Sequence, residues 1–225
     1  MLHVVRLIAA KDLRIEGRSR VVINQVLPFA AIVMVMFAFA LNTDSVVERV
    51  APGLVWLATL FSLLILVQRS FAIETADGAS DALRAAGVDP AAIFLGKSLA
   101  LAAQLAVLEL VLLATAVVLY RAELRLEGIV LLVTTFVAAT CGLALVGTLY
   151  GGLAAGVRGR ETLLPLLLLP VVAPVLIGAT RATEAALGTG GAVVAVGWPW
   201  LGLLAVFVAL FGVGGTLAFG PLIEE

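Results

Sequence analysis

The stretch IVLLVTTFVAATCGLALVGTLYGGLAA, at positions 129–155, contains no charged residue and decides the fold class. A membrane hydrocarbon core of about 30 Å requires about 20 apolar residues per helix, and this stretch exceeds that length. Backbone groups in lipid must be paired within their own segment, so the stretch is predicted to be a transmembrane helix.

Five further apolar runs of the chain meet or approach the same length. The chain has 63% hydrophobic and 13% charged residues, which is more apolar than a soluble domain can bury. A net charge of −1 excludes a generally basic nucleic-acid binder. The sequence therefore predicts an all-α membrane protein with six transmembrane spans, at 21–41, 52–67, 98–120, 129–155, 163–180 and 198–220.

The basic residues predict the orientation, because cytoplasmic loops carry an excess of Lys and Arg. Of the 14 basic residues, ten fall on the side of the N-terminus and four on the other. Both chain ends are therefore predicted to be cytoplasmic, with Trp198 and Trp200 in an interfacial belt outside. The ten are Arg6, Lys11, Arg14, Arg18, Arg20, Arg69, Arg84, Lys97, Arg158 and Arg160, and the four are Arg49, Arg121, Arg125 and Arg181.

The N-terminal stretch 1–20 has the pattern of an amphipathic helix lying in the membrane interface. Leu2, Val5, Ala9 and Leu13 share one predicted face, which Asp12 and Glu16 interrupt, and Lys11, Arg14 and Arg18 lie opposite. The alternative is a solvated basic tail that only sets topology. The remainder is predicted to be a transmembrane domain at 21–220 and a cytoplasmic tail at 221–225. The region before the first span is too long for an ordinary signal peptide, so that span is expected to be retained.

The longest predicted cytoplasmic loop lies at 68–97, between the second and third spans. Asp77-Gly78 predicts a turn, and 80–86 predicts a short helix that ends at Gly87. Asp89-Pro90 then predicts an N-cap and the first residue of the next helix. Such a short exposed helix could dock on a partner, or the segment could be a passive linker.

Two polar residues fall inside the predicted third span. Glu109 lies at its middle, with Gln104 five residues earlier. A carboxylate at bilayer depth costs a few kcal/mol, so it should face protein or water. Glu109 is therefore predicted either to act in a translocation path or proton-coupled step, or to form a hydrogen bond between helices.

Proline and glycine mark the fourth and fifth predicted spans. Pro170 and Pro174 each remove a helical hydrogen bond and are predicted to form a static kink or a moving gate. Small residues allow close helix contact, either within the chain or at a dimer seam, and four of them form two GxxxG spacings. These are Gly147, Gly151, Gly152 and Gly156.

The sequence carries no pattern for catalysis or for a directly bound cofactor. Gly96-Lys97-Ser98 resembles the end of a phosphate-binding loop, but Ala91 stands where its first glycine belongs, so Lys97 is predicted only to mark the edge of a span. His3 is the only histidine and Cys141 the only cysteine, which excludes disulfide frameworks and CxxCH haem attachment. The chain is therefore predicted not to be an enzyme.

Three stretches together resemble the cytochrome c maturation protein B family of haem-exporter permeases. They are KDLRIEGRSR at 11–20, RSFAIETADGASDALRAAGVDPAAIFLGKSLA at 69–100 and RGRETLLPLLLLPVVAPVLIGA at 158–179. The order and spacing of all six spans are similar as well. The resemblance implies a permease subunit of an ATP-binding-cassette (ABC) transporter, in which the first cytoplasmic loop sits on an ATPase subunit.

The resemblance also implies partners and residue roles. The partners are a separate ATPase that binds ATP, a haem-handling membrane protein, a small membrane subunit and a second copy of this chain, with haem as the possible substrate. ATPase movement would push on the loop and shift the first and fifth spans relative to the second copy. The implied coupling residues are Glu74, Asp77, Gly78, Asp81, Leu83 and Pro90, with Arg158, Arg160 and Glu161 as a secondary contact.

Three alternatives remain at this point. A permease of the same architecture could move another substrate, such as a lipid-linked sugar or a drug. An ion-coupled secondary transporter could use Glu109, although such folds usually show repeats and several broken helices. A passive membrane scaffold would need no coupling loop at all.

Overall fold

The computed structural model describes residues 1–41, 43–76, 82–83, 85–120, 124–155 and 160–224. Within these ranges the regular elements are all helical, and six helices are long and apolar enough to cross a membrane. The predicted all-α fold with six spans is confirmed. The helices are α1 (Leu2–Ser19), α2 (Leu27–Ala40), α3 (Asp44–Ala76), α4 (Pro90–Leu119), α5 (Ile129–Ala155), α6 (Arg160–Leu187) and α7 (Trp198–Glu224).

Helix α5, the apolar stretch at 129–155, lies at the centre of the bundle. It packs against α3, α4, α6 and α7. Helices α2 and α7 are the least buried of the six spans, so most of their side chains face outward. This arrangement leaves the apolar surface of the outer helices for lipid or for neighbouring membrane proteins.

The chain breaks sharply between α1 and the first span. Arg20 ends α1 with a left-handed backbone (φ 53°), which costs energy for any residue other than glycine. The Glu16 side chain stabilises this break, since its Oε1 accepts the main-chain N–H of Val22 at 2.6 Å. A π-helical turn at Val22–Val26 then leads into α2, so the first span has an irregular start.

The second and fifth spans are longer than hydropathy predicted. Helix α3 continues to Ala76 and α6 to Leu187, although the predicted spans ended at 67 and 180. Hydropathy falls at the first charged residue of each segment, whereas the helical backbone continues past it, and both of these charged residues have an ionic partner. Arg69 Nε lies 3.9 Å from Glu16 Oε2 and Arg181 Nη1 lies 2.9 Å from Glu184 Oε2.

The linker between α3 and α4 is accordingly shorter than the predicted loop at 68–97. It occupies 77–89, and the predicted Asp77-Gly78 turn lies outside the described residues. Gly87 has a left-handed backbone (φ 65°), and the N–H of Val88 reaches back to the Leu83 carbonyl oxygen at 3.2 Å. Asp89 caps α4, because its Oδ1 accepts the N–H of Ala91 at 3.0 Å. The predicted helix stop and N-cap are confirmed.

The predicted apolar residues of α1 are divided between two surroundings. Val5 and Ala9 are buried against protein, whereas Leu2 and Leu13 are 78% and 38% exposed. Asp12 and Glu16, which interrupted the predicted face, lie instead on the buried side, where α1 contacts other helices. At the other end of the chain, the predicted tail at 221–225 continues α7 as far as Glu224.

Candidate functional site

Of the predicted coupling residues, those in the described part of the chain lie at helix ends or in the linker. Glu74 lies in the last turn of α3, Pro90 begins α4, and Arg160 and Glu161 begin α6. The side chains of Glu74, Arg160 and Glu161 lie outside the described part of the chain, as do Asp77, Gly78, Asp81 and Arg158 entirely. The end of α3 and the start of α6 lie on the same side of the bundle, since Phe71 of α3 and Leu164 of α6 line one cleft.

Leu83 and Pro90 anchor the described part of the linker to three helices. Leu83 is half-buried and packs against an apolar cluster that contains Ile8 of α1, Phe94 of α4 and Phe219 of α7. The Cβ of Pro90 lies 3.7 Å from the point that a Cβ would occupy at position 220 of α7. The described part of the linker is therefore packed against the helical bundle.

Lys97 is the polar residue of this region whose role the sequence analysis missed. Its side chain is 3% exposed, and its Nζ lies 3.3 Å from Asp12 Oδ2 and 3.2 Å from Ser70 Oγ. The same nitrogen lies 4.7 Å from the centroid of the Phe71 ring, in a cation–π contact. Lys97 thus joins α4 to α1 and α3. The available signal was the acidic pair on the face of α1.

A second ionic contact lies one turn further along α1. Glu16 accepts the N–H of Val22 through Oε1 and lies 3.9 Å from Arg69 through Oε2. Both residues line a small cleft between α1, α3 and α4, together with Asp12, Ser70 and Gln104. The cleft is therefore lined by two acidic side chains of α1 and by one basic side chain of α3.

The two predicted intramembrane polar residues do not lie together. Gln104 lines the cleft beside α1, whereas Glu109 faces α5 and is 1% exposed. The Thr140 hydroxyl donates to Oε2 of Glu109 and also lies 2.6 Å from the Phe136 carbonyl oxygen. Oε1 of Glu109 has no hydrogen-bond partner among the described residues. Glu109 therefore forms a contact between helices through one of its two carboxyl oxygens.

Helix α6 is continuous through its prolines. Pro170 and Pro174 are exposed, and they alternate with the buried residues Leu168, Val172 and Val175 on the opposite face. The carbonyl groups that each proline leaves without a helical N–H lie one turn back along the helix. The structure thus places both prolines on the outward face of the fifth span.

The glycines of α5 allow close contact inside the chain. A Cβ at position 147 would lie 2.9 Å from side-chain atoms of both Leu63 and Val67 of α3. Gly151 faces Val67 and Phe71 in the same way, and Gly152 faces Phe219 of α7. Gly156 lies outside the described residues. Three of the four glycines therefore contact neighbouring helices of the same chain.

No metal site is evident in the part of the chain that the structure describes, where no three His, Cys, Asp or Glu residues cluster. The described arrangement offers ion pairs, packed helix ends and small clefts.

Comparison with known proteins identifies similar chains. The family model for "CcmB protein" matches residues 3–220. A "Heme exporter protein B" of Rhodobacter capsulatus is 31% identical over 77% of this chain and 79% of its own length. Proteins with the same name in Pseudomonas aeruginosa and Haemophilus influenzae are 31% and 32% identical, over 83% and 80% of both chains in each comparison.

Proposed function

This chain belongs to the CcmB protein family, and from that membership we propose that it is the permease subunit of an ATP-driven exporter that delivers haem for cytochrome c assembly. Its relatives in three bacteria are named for haem export, which favours haem over a sugar or a drug as the substrate. The chain supplies the membrane path or the moving parts, and a separate ATPase subunit supplies the energy.

The observation that carries this proposal is the packing of α1 against α3 and α4 on the side of the bundle where the linker lies. The linker at 77–89 connects α3 to α4, and each of these helices is joined to α1 by an ion pair about two turns from the linker. A force applied to the linker would therefore act on several helices together. This is the property that a subunit without its own energy source needs in order to respond to a partner.

We propose the coupling roles of the linker and of its neighbours on the same basis. Glu74, Asp77, Gly78 and Asp81 would meet the ATPase, and Arg158, Arg160 and Glu161 would form a second contact at the start of α6. Leu83 and Pro90 would hold the linker on the bundle, because their apolar contacts already join it to α1 and α7. Haem-handling and small membrane subunits of the same system complete the proposed assembly.

The protein is proposed to lie in the inner membrane of a bacterium. In this orientation the linker and both chain ends are on the cytoplasmic side. The excess of basic residues on that side supports it. A second copy would contact the outward faces of the first and fifth spans, where α2 and the proline side of α6 are exposed. Reporter fusions at both termini and after position 124 test the orientation.

Purification tests the central claim. An affinity-tagged chain, expressed with the cytochrome c assembly proteins of its host, should retain an ATPase subunit and hydrolyse ATP in nanodiscs. The double variant Asp77→Ala/Asp81→Ala should lose the ATPase or its stimulation. Glu127→Ala, an exposed carboxylate at the other end of the bundle, is the matched control and should retain both. A wild-type chain that supports cytochrome c assembly without any ATPase would contradict the proposal.

Glu109 supports a second candidate, an ion-coupled step. Its buried carboxyl group has one unpaired oxygen among the described residues, and such a group can bind a proton. A transport activity that follows an ion gradient and needs no ATP would favour this candidate over the first.

A further inference from the structure

We propose that Lys97 is a positioning residue for energy coupling, because with Asp12 it fixes α1 to the ends of α3 and α4. The three helix ends then move as one unit and pass movement from the linker to the first span. This inference rests on the proposed function and deepens it. It assigns α1 a mechanical role in place of a membrane anchor alone.

The first support is the burial and the partners of Lys97. Its Nζ contacts Asp12 at 3.3 Å, Ser70 at 3.2 Å and the Phe71 ring at 4.7 Å. The side chain is only 3% exposed and that of Asp12 is 10% exposed. Breaking a buried ion pair is costly, because both charges are already withdrawn from water and neither regains full hydration. The pair therefore resists sliding of α1 along α4.

The second support is the close approach of the α1 and α4 backbones beside this pair. A Cβ at position 96 would lie 2.7 Å from Ile8 Cβ and 3.0 Å from the Val5 carbonyl oxygen. Gly96 therefore leaves the space that α1 occupies. Ile8 also packs with Ile93 and Phe94 in one apolar cluster. Hence α1 sits against protein at its middle.

The third support is a continuous path from this contact to the first span. Glu16 lies one turn beyond Asp12 on the same side of α1, and its Oε1 accepts the N–H of Val22 at 2.6 Å. Val22 begins the π-helical turn that leads into α2. Turns of this kind occur often at functional positions in helices. A shift of α1 would thus act directly on the irregular start of α2.

Spin labelling tests whether α1 holds a fixed position relative to α4 in the isolated chain. Labels are placed at exposed positions 14 of α1 and 99 of α4, in a Cys141→Ser background and in nanodiscs. The variants are Lys97→Met and Asp12→Asn. Lys11→Met is the matched control, since Lys11 lies 3.1 Å from the same carboxylate but is 36% exposed. A narrow distance distribution is expected in the wild type and the control, and a broad one in both variants.

Coupling is then measured in the complex with the ATPase subunit. Both variants should keep the ATPase bound but lower haem delivery per ATP by about tenfold, because a broken buried pair frees α1. The control should change it by less than about twofold, as expected for a partly exposed ion pair. The exchange Asp12→Lys/Lys97→Asp, or Lys97→Arg where the exchange fails to fold, should restore both readouts.

Two results would overturn the inference. A distance distribution that stays narrow in Lys97→Met would show that this residue does not fix α1. Broad distributions with unchanged haem delivery would show that α1 is not part of the coupling path. If the wild type binds no ATPase, the proposed function fails by itself, and the distances then assign Lys97 a purely structural role.

Discussion

Trp56 and Thr183 are joined by a buried hydrogen bond of 3.0 Å, in which the indole Nε1 donates to the threonine hydroxyl oxygen. The two residues are 127 positions apart in sequence, and the bond connects α3 to α6. The Trp56 ring also lies 5.0 Å from the Phe136 ring of α5, centroid to centroid. One side chain therefore holds three spans together, with Trp56 and Thr183 fully buried and Phe136 partly buried.

Trp56→Phe should lower the thermal stability of the protein in detergent. Phenylalanine retains part of the ring contact but cannot donate to Thr183. Hydrogen bonds between membrane helices contribute about 0.6 to 2 kcal/mol, so a loss in that range is expected. Trp198→Phe is the control, because Trp198 is 46% exposed and should be nearly neutral. Heating a fluorescent fusion and measuring the soluble monodisperse fraction gives the comparison, and equal melting temperatures would argue against the bond.

The glycines of α5 allow a prediction that separates internal packing from a dimer seam. Gly147→Val and Gly151→Val should destabilise the monomer itself, since the new side chains would meet Leu63, Val67 and Phe71 of the same chain. Overpacking of this kind costs about 1 to 3 kcal/mol. Gly214→Val is the control, because no neighbouring atom lies within 4 Å of a Cβ at that position.

Melting temperature and oligomeric mass are measured on the same samples. Internal packing predicts a lower melting temperature at unchanged mass. Stable monomers that lose only their dimer would instead place a subunit contact at these glycines.

The sequence predicts local features well and contacts between distant segments poorly. The six spans follow from composition over about 20 residues, and the Asp89 cap follows from two adjacent residues. The partner of Lys97 lies 85 positions away, on a helix whose acidic residues interrupted an apolar pattern. Periodicity alone does not distinguish a face that meets lipid from a face that meets protein. The position of Asp12 on the buried side of α1 is explained by its ion pair with the buried Lys97, which the sequence does not show.

Glu109→Gln should preserve the fold and ATP-coupled haem delivery, within about twofold of the wild type. Glutamine has nearly the same shape and can still hydrogen-bond to the Thr140 hydroxyl, so the contact between α4 and α5 remains. Glu109→Leu is the comparison that removes this bond and should lower stability by about 0.6 to 2 kcal/mol. ATPase rate and haem delivery are measured together in nanodiscs. Loss of delivery in Glu109→Gln at an unchanged ATPase rate would instead support the ion-coupled candidate.

Asp89 offers a test of whether the linker must enter α4 at a fixed point. Its Oδ1 accepts the N–H of Ala91 at 3.0 Å, and Asp89→Ala removes this cap at a cost of about 0.5 to 2 kcal/mol. Because Pro90 has no N–H and packs beside Gly220, the end of α4 should fray on the linker side rather than shift as a whole. Asp89→Asn keeps a side-chain oxygen in the same place and is the matched control. If the linker transmits force, Asp89→Ala should reduce haem delivery per ATP while the ATPase stays bound, and Asp89→Asn should not. Equal delivery in the two variants, with hydrogen exchange showing a frayed helix end only in Asp89→Ala, would mean that the entry of α4 carries no coupling force.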